Sequence, residues 1–392
     1  MSLRRRFGRG EWAVAFSLLL GCAFAASCAQ PAAPGQAPSR PDPGEFHIPP
    51  TPWLGVEART VLRERITHNQ EYAAIAEALQ NQARPWLSAA PRPIAVIHYE
   101  GLLNTDPRRI ESVRHLSQMG EAATVLRYWQ ATEDPEAARA LHSWIYAWAV
   151  TYRPTGNDVN ENKLFPLLVA YASLRNAFEP AAQAEVDAWA EQLGELHAQG
   201  VVEAGQTDNR FVKRVRLLAC VALILDRPDW RHACRGAIQR YVSEGLRANG
   251  ESLDLRQRDS LSYHGSGLKS AMEAAVLLGD VGRDLYAWRS ADGASIQGSV
   301  RYVFPYAVGE KTHREWVGTT VELDRRRAEA GIAQYQPGRA YDSRRAIPLF
   351  EWAAWFDLRA RAVAGRLLQA ETGRGKSWVL LCAEASGARP TK

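Results

Sequence analysis

The chain is poor in the residues that staple small folds. It holds five cysteines in 392 residues and no C-x-x-C pair, which excludes a disulfide scaffold and a zinc ribbon. Glycine (29) and proline (21) stay below the share that marks collagen-like or disordered chains. No run of five or more like charges occurs, and the net charge is only +5. A nucleic-acid role is therefore not indicated, whereas a mild, dispersed positive excess suits an anionic small or polymeric ligand. What is present is 46% hydrophobic and 23% charged residues, the composition of a soluble globular protein with a sizeable core. The length accommodates two domains, or one large all-helical or α/β-barrel domain.

The amino terminus reads as an address. Arg4, Arg5 and Arg6 precede an uncharged apolar stretch from Trp12 to Leu20, too short to span a membrane comfortably, and small residues follow. This is the pattern of a bacterial secretory signal over residues 1–28. Leu19-Leu20-Gly21-Cys22 resembles a lipoprotein box, Ala25-Ala26-Ser27-Cys28 is a weaker version, and Ala23-Phe24-Ala25 suits an ordinary signal peptidase. The expected location is periplasmic, or on the outer membrane through a lipid on Cys22 or Cys28. Residues 29–52 carry eight prolines, from Pro31 to Pro52, and read as an extended linker. The folded domain is expected over residues 53–385. It retains Cys220, Cys234 and Cys382, an odd number best read as buried thiols.

From about residue 56 the apolar period is helical. Leu62, Ile66, Tyr72, Ile75 and Leu79 share a stripe; Asp106-Pro107 and Asp134-Pro135 look like caps followed by first helical turns. Further helices are expected over residues 163–178, 181–197, 212–225, 230–246, 261–278, 295–302, 325–335 and 346–368. Short strands are expected at residues 94–97 and 378–382. No alternation of strands and helices would build a parallel sheet, so the fold class is all-α, hairpins packed in a ring. Tryptophan stands at 13 positions, a content that fits a carbohydrate cleft, although any single one is better read as core.

Four polar islands interrupt this pattern. Thr155 to Lys163 includes Asn160 and Glu161, with more amides than a helix cap needs. Thr207-Asp208-Asn209-Arg210 is either a cap by Asp208 or an amide and a guanidinium set at a helix start to face a carboxylate. Asn249 to His264 gathers Arg256, Arg258, Asp254, Asp259, Tyr263 and His264, too much for a plain connection. Tyrosine works as a general acid or base when cations depress its pKa, which Arg256 and Arg258 are placed to do. Lys311, His313, Glu315 and Trp316 lie in the fourth island, read otherwise as a solvated turn. His313 and Glu315 are two apart, not the spacing of a helical zinc site, so no metal and no other cofactor is expected.

These residues resemble the alginate lyase family of polysaccharide lyases over roughly residues 90–360. Its members carry an Arg, a short polar stretch and Tyr-His opening a helix, matched here by Arg256 through Tyr263-His264. They also carry an Asn-Asn-His or Asn-Asn-Trp element at the start of the preceding long helix. The spacing to Asp226-Arg227 puts Asn209 at the family's Asn and Arg210 where the best-known members have His. The first and fourth islands look like motifs of a side branch acting on other uronans, including glucuronan. The resemblance implies an incomplete (α/α) toroid, no obligatory metal, an anionic polyuronate as partner and a periplasmic or surface location.

The chemistry sets the roles. A uronan lyase removes the weakly acidic C5 proton and expels O4, so the site must neutralise the carboxylate. Asn209, Arg210 and Arg256 are the candidates for that task, and Tyr263 for carrying the proton. Arg258, His264, Asn160, Glu161, Lys163, Lys311, His313, Glu315 and Trp316 are candidate substrate contacts. One phenol serves syn elimination, which fits poly-mannuronate and poly-glucuronate, whose C5 hydrogen and O4 share a face. Anti elimination needs a second group, for which His264, His313 and His98 are available. The rival readings are a glycoside hydrolase using two of Glu161, Asp254 and Asp259, and a non-catalytic uronan-binding envelope protein.

Overall fold

The computed structural model describes residues 56–386, so the expected signal, the candidate lipid-bearing cysteines and the Pro-rich segment lie outside the described residues. The helices are α1 (Val56–His68), α2 (Gln70–Ala83), α3 (Pro107–Thr132), α4 (Pro135–Thr151), α5 (Asp158–Glu161), α6 (Phe165–Leu174), α7 (Pro180–Val202) and α8 (Asn209–Ile224). They continue as α9 (Pro228–Arg240), α10 (Leu253–Arg258), α11 (Leu261–Leu277), α12 (Ile296–Ala307), α13 (Glu322–Glu329), α14 (Ile347–Ala353), α15 (Leu358–Thr372) and α16 (Trp378–Ala385). One antiparallel ribbon joins β1 (Arg314–Glu315) to β2 (Arg339–Ala340).

The Asp-Pro pairs start helices as expected. The Asp106 carboxylate accepts from the Arg108 amide at 2.9 Å, and that of Asp134 from the Glu136 amide at 2.7 Å. Helices α3, α6, α8, α11 and α14 follow one another around an axis, while α4, α7, α9, α12 and α15 pack outside them. This is an incomplete (α/α) toroid. Helix α8 is buried on more than one side, so its apolar residues are not confined to one narrow stripe: Val212, Val215, Leu218 and Val221 are all fully buried. Each contributes roughly 1.5–3 kcal/mol of transfer free energy. The most extensive helix–helix packing joins α8 to α11.

The expected strands do not form. Residues 94–97 run irregularly, and residues 378–382 open α16, capped by the Ser377 hydroxyl, with Trp378, Leu381 and Cys382 buried. A short apolar run fits strand and buried helix alike, and packing decided. The helix expected over 325–335 stops at Gly331, whose φ of 72° ends it; the one expected over 346–368 divides at Asp357, which caps α15. Cys220, Cys234 and Cys382 are unpaired and buried, and burial pushes the thiols of Cys220 and Cys382 up to about 12.

Candidate active-site cleft

The helix starts that carry polar islands meet at one end of the toroid. There a cleft of about 310 Å³ is lined by six cations (Arg109, Lys163, Arg210, Lys213, Arg258 and Arg327) and two carboxylates, Glu100 and Asp158. Asn209, Tyr99, Tyr263 and Tyr335 also face it.

One wall comes from the junction of α10 and α11. Helix α10 ends at Arg258, Asp259 takes a left-handed φ of 51°, and Ser260 caps α11 through the Tyr263 amide. The reversal lays the Arg258 guanidinium over the Tyr263 ring at 4.5 Å. The Tyr263 hydroxyl lies 3.1 Å from that of Tyr335 and 3.5 Å from Nη1 of Arg327. Buried Asp324 holds both cations, accepting from Arg258 at 2.6 Å and pairing with Arg327 at 3.6 Å. Burial and the Tyr335 phenol push the Tyr263 pKa well up, against the pull of Arg258 and Arg327. Tyr263 is therefore a protonated phenol at neutral pH. The expectation that cations depress it is corrected: desolvation wins.

Arg256 does not belong to this wall. It is exposed and does not line the cleft. Two residues along a helix turn the side chain through roughly 200°, so Arg256 and Arg258 take opposite faces. The cleft uses the second.

The floor is the first turn of α8. Asp208 caps it, accepting from the amides of Arg210 and Phe211. Asn209 is buried; its main-chain N–H and side-chain amide both donate to Asp254, and its carbonyl oxygen accepts from Lys213 Nζ at 2.9 Å. Asn209 and Lys213 are four apart and share a face. Burial draws the Lys213 ammonium down to about 8, with Asp254 opposing and Arg216 and Lys163 assisting. Burial likewise raises the Asp254 carboxyl to about 6, helped by Asp208 and opposed by Asn209 and Arg258. Arg210 reaches the cleft, but Asp158 grips it at 2.9 and 2.8 Å and Glu100 pairs with it too. Its charge is already balanced.

The second wall is the segment 97–104 with the turn after α5. The Asn160 side chain donates to Ile97 O at 2.7 Å and accepts from the amides of Tyr99 and Glu100. Its amide is spent on backbone, so Asn160 shapes the wall and does not itself line the cleft. Arg109 and Lys163 sit over the Tyr99 ring at 3.9 and 4.3 Å.

Six other candidates lie elsewhere. Glu161 is fully buried, accepts from Tyr152 Oη and from the Thr155 and Gly156 amides, and pairs with His197 at 2.7 Å. His264, one step round α11 from Tyr263, packs against α12 between Ser252 Oγ and Ser299 O, and burial lowers it to about 4. Glu315 is buried and accepts from Ser260 Oγ and the Ser262 amide. His313 leans on Asp259 at 3.4 Å, and Lys311 is exposed away from the cleft. Trp316, at a φ of 72°, is buried behind the phenols, 5.5 Å from the Tyr263 ring and 5.0 Å from that of Tyr335. The fourth island is thus a buttress, tied by the β-ribbon to the segment that bears Tyr335. Glu161, Asp254 and Asp259 do not line the cleft either, so none of the carboxylates considered for a hydrolase faces it.

Sequence reasoning missed Lys213, Tyr99, Arg109, Arg327 and Tyr335. Only Lys213 left a signal, as the residue one turn after Asn209. A larger cavity of about 470 Å³ is lined by Trp352, Trp355 and Trp378. Its walls are mainly apolar, and Arg216 and Lys269 are both paired with Glu273, so it offers fewer uncommitted charges than the smaller cleft. No tryptophan lines that cleft.

This chain belongs to the alginate lyase family, whose family model matches residues 66–313. It is a polysaccharide lyase of uronic acid polymers. No curated protein sequence matches it. An alginate lyase from Bacteroides ovatus superposes with a TM-score of 0.61 at 15% identity, over 85% of this chain and 98% of its own. Alginate lyase A1-III from Sphingomonas species A1 gives 0.55 at 16%, over 84% and 91%. A His-to-Ala variant of A1-III complexed with a tetrasaccharide gives 0.51 at 17%, over 66% and 77%. At these identities the structures speak for the fold.

Proposed function

We propose that the cleft cleaves poly-mannuronate or poly-glucuronate by syn β-elimination, with Tyr263 carrying the proton. The observation behind this is a protonated phenol under the Arg258 guanidinium, in a cleft whose cations outnumber its carboxylates. Lys213 and Arg258 neutralise the sugar carboxylate, so that charge developing at C5 is stabilised. Asn209, anchored by Asp254, positions Lys213 and does not itself bind the sugar. Lys213 thereby supplies the cationic partner that the family's His would provide at position 210.

The neutral Tyr263 phenol first loses its proton to solvent, beside the Arg258 and Arg327 cations that favour the ionised form; the phenolate then takes the C5 proton and passes it to O4 on the same face as the C4–O4 bond breaks, which regenerates the phenolate. Lys163 and Arg210 line the path of the anionic polymer. Export through the Met1–Cys28 segment, with or without a lipid, fits a polymer met outside the cytoplasm.

The test is incubation with poly-mannuronate and glucuronan, read by the ultraviolet absorbance of C4–C5 unsaturated uronates. Absorbance should rise with the wild type and fall about a thousandfold in rate for Tyr263→Phe. A folded Tyr263→Phe protein with undiminished turnover ends the reading, as do saturated products only.

A further inference from the structure

The phenol of Tyr99 has no part in the reaction just described, yet it lines the same cleft as Tyr263. The two stand on different walls. Helix α8, which forms the floor, packs against α11 on one side and the α5 turn on the other. Tyr263 comes from the α11 side, and Tyr99 from the segment that Asn160 clamps to the α5 side. Their surroundings differ as well. Tyr263 is paired with a second phenol at 3.1 Å, whereas Tyr99 lies between Arg109 from α3 and Lys163 from the turn after α5, at 3.9 and 4.3 Å from its ring. The other charge facing this segment, the Glu100 carboxylate, is engaged by Arg210 and by the Asn157 amide.

We infer that Tyr99 is a second proton-transfer group, which gives this lyase a further activity: anti elimination of uronates, such as guluronate, whose C5 hydrogen and O4 lie on opposite faces. The inference rests on the lyase reading above and extends it to a second class of linkage. Tyr99 phenolate takes the C5 proton from one face. The C5–H pair becomes the C4=C5 double bond, the C4–O4 bond breaks, and Tyr263 donates its hydroxyl proton to O4 on the other face. Tyr99 ends neutral and Tyr263 ends as phenolate, and exchange with solvent restores both. The division of labour follows the environments: burial would push Tyr99 up, but Lys163 and Arg109 outweigh it and hold the phenol below its ordinary value, while Tyr263 is raised. Two titratable groups pushed apart in this way mark a base and an acid.

Two measurements decide the matter. The first is the ratio of poly-guluronate to poly-mannuronate cleavage by wild type, Tyr99→Phe and Lys163→Met proteins. Tyr99→Phe should lower that ratio about a hundredfold, and Lys163→Met should lower it in the same direction. Equal loss on both polymers, or a wild type inert toward poly-guluronate, overturns the inference. The second measurement needs no substrate. The wild-type minus Tyr99→Phe difference in phenolate absorbance should show one ionisation below the ordinary tyrosine range, shifted upward in Lys163→Met. Ionisation at or above that range overturns the base role even if poly-mannuronate is cleaved. Failure on every polymer with a normal Tyr99 titration would instead remove the lyase reading and this activity together.

Discussion

The turn at residues 155–163 and the wall at residues 253–263 are alike as sequence, both dense in amides, carboxylates and cations before an apolar helix. In the folded chain they differ. Around Glu161 the carboxylate is committed inside the protein: it accepts backbone and hydroxyl donors and pairs with His197, out of water. Around Tyr263 the cations are held by one shared carboxylate, Asp324, and turn toward open space. Polar density alone therefore does not mark a site; polar groups left facing a cleft do. Buried networks that satisfy themselves build the wall that others use.

That contrast can be broken by experiment. If Glu161 is purely architectural, Glu161→Gln should destabilise the fold by about 3 kcal/mol, because an amide N–H₂ then faces buried donors. The denaturant midpoint reads this, and kcat of the surviving folded fraction should stay near wild type; a stable but inactive protein would move Glu161 into the reaction. On the other side, Arg258→Ala should reduce turnover about a hundredfold, whereas Arg256→Ala, on the exposed face, should cost less than about threefold. Similar losses in the two variants would mean that the α10 turn is presented differently to substrate.

The smallest effect is a pH dependence. Lys213 is cationic only below about 8, and Asp254, which braces it through Asn209, is ionised only above about 6. Turnover should therefore hold between those values, fall as pH rises through 8 because Lys213 loses its charge, and fall as pH drops through 6 because Asp254 gains a proton. Lys213→Arg should carry the alkaline limb upward. A limb that stays near 8 in that variant assigns it to another group.

Much of this architecture was legible beforehand. The Asp-Pro starts and the helical period announced a helical fold; the Tyr-His element, the Asn element and the first polar island pointed to Tyr263, Asn209 and Lys163, which the fold brings to one cleft. Arg256 was chosen over Arg258 because a list of neighbours carries no face; only the direction of α10 and the left-handed Asp259 separate them. The phenol at 335 and the guanidinium at 327 stood in a charged stretch whose link to Tyr263 passes through the β-ribbon, a contact that no local pattern announces. His264 and Glu315 looked reactive because their type is reactive, and burial spent them.

By itself the order of residues determined that this chain makes amphipathic and apolar helices, where they start, and that a tyrosine opens one of them, since capping, periodicity and proline act over a few neighbours. The tertiary structure alone decided which charges are drawn into ion pairs, that Arg210 meets the cleft gripped by Asp158 and Glu100 while Lys213 meets it hydrogen-bonded to the Asn209 amide, and that a second phenol shares it. Those outcomes depend on distances between segments far apart in the chain, and on how much water the packing removes from each group.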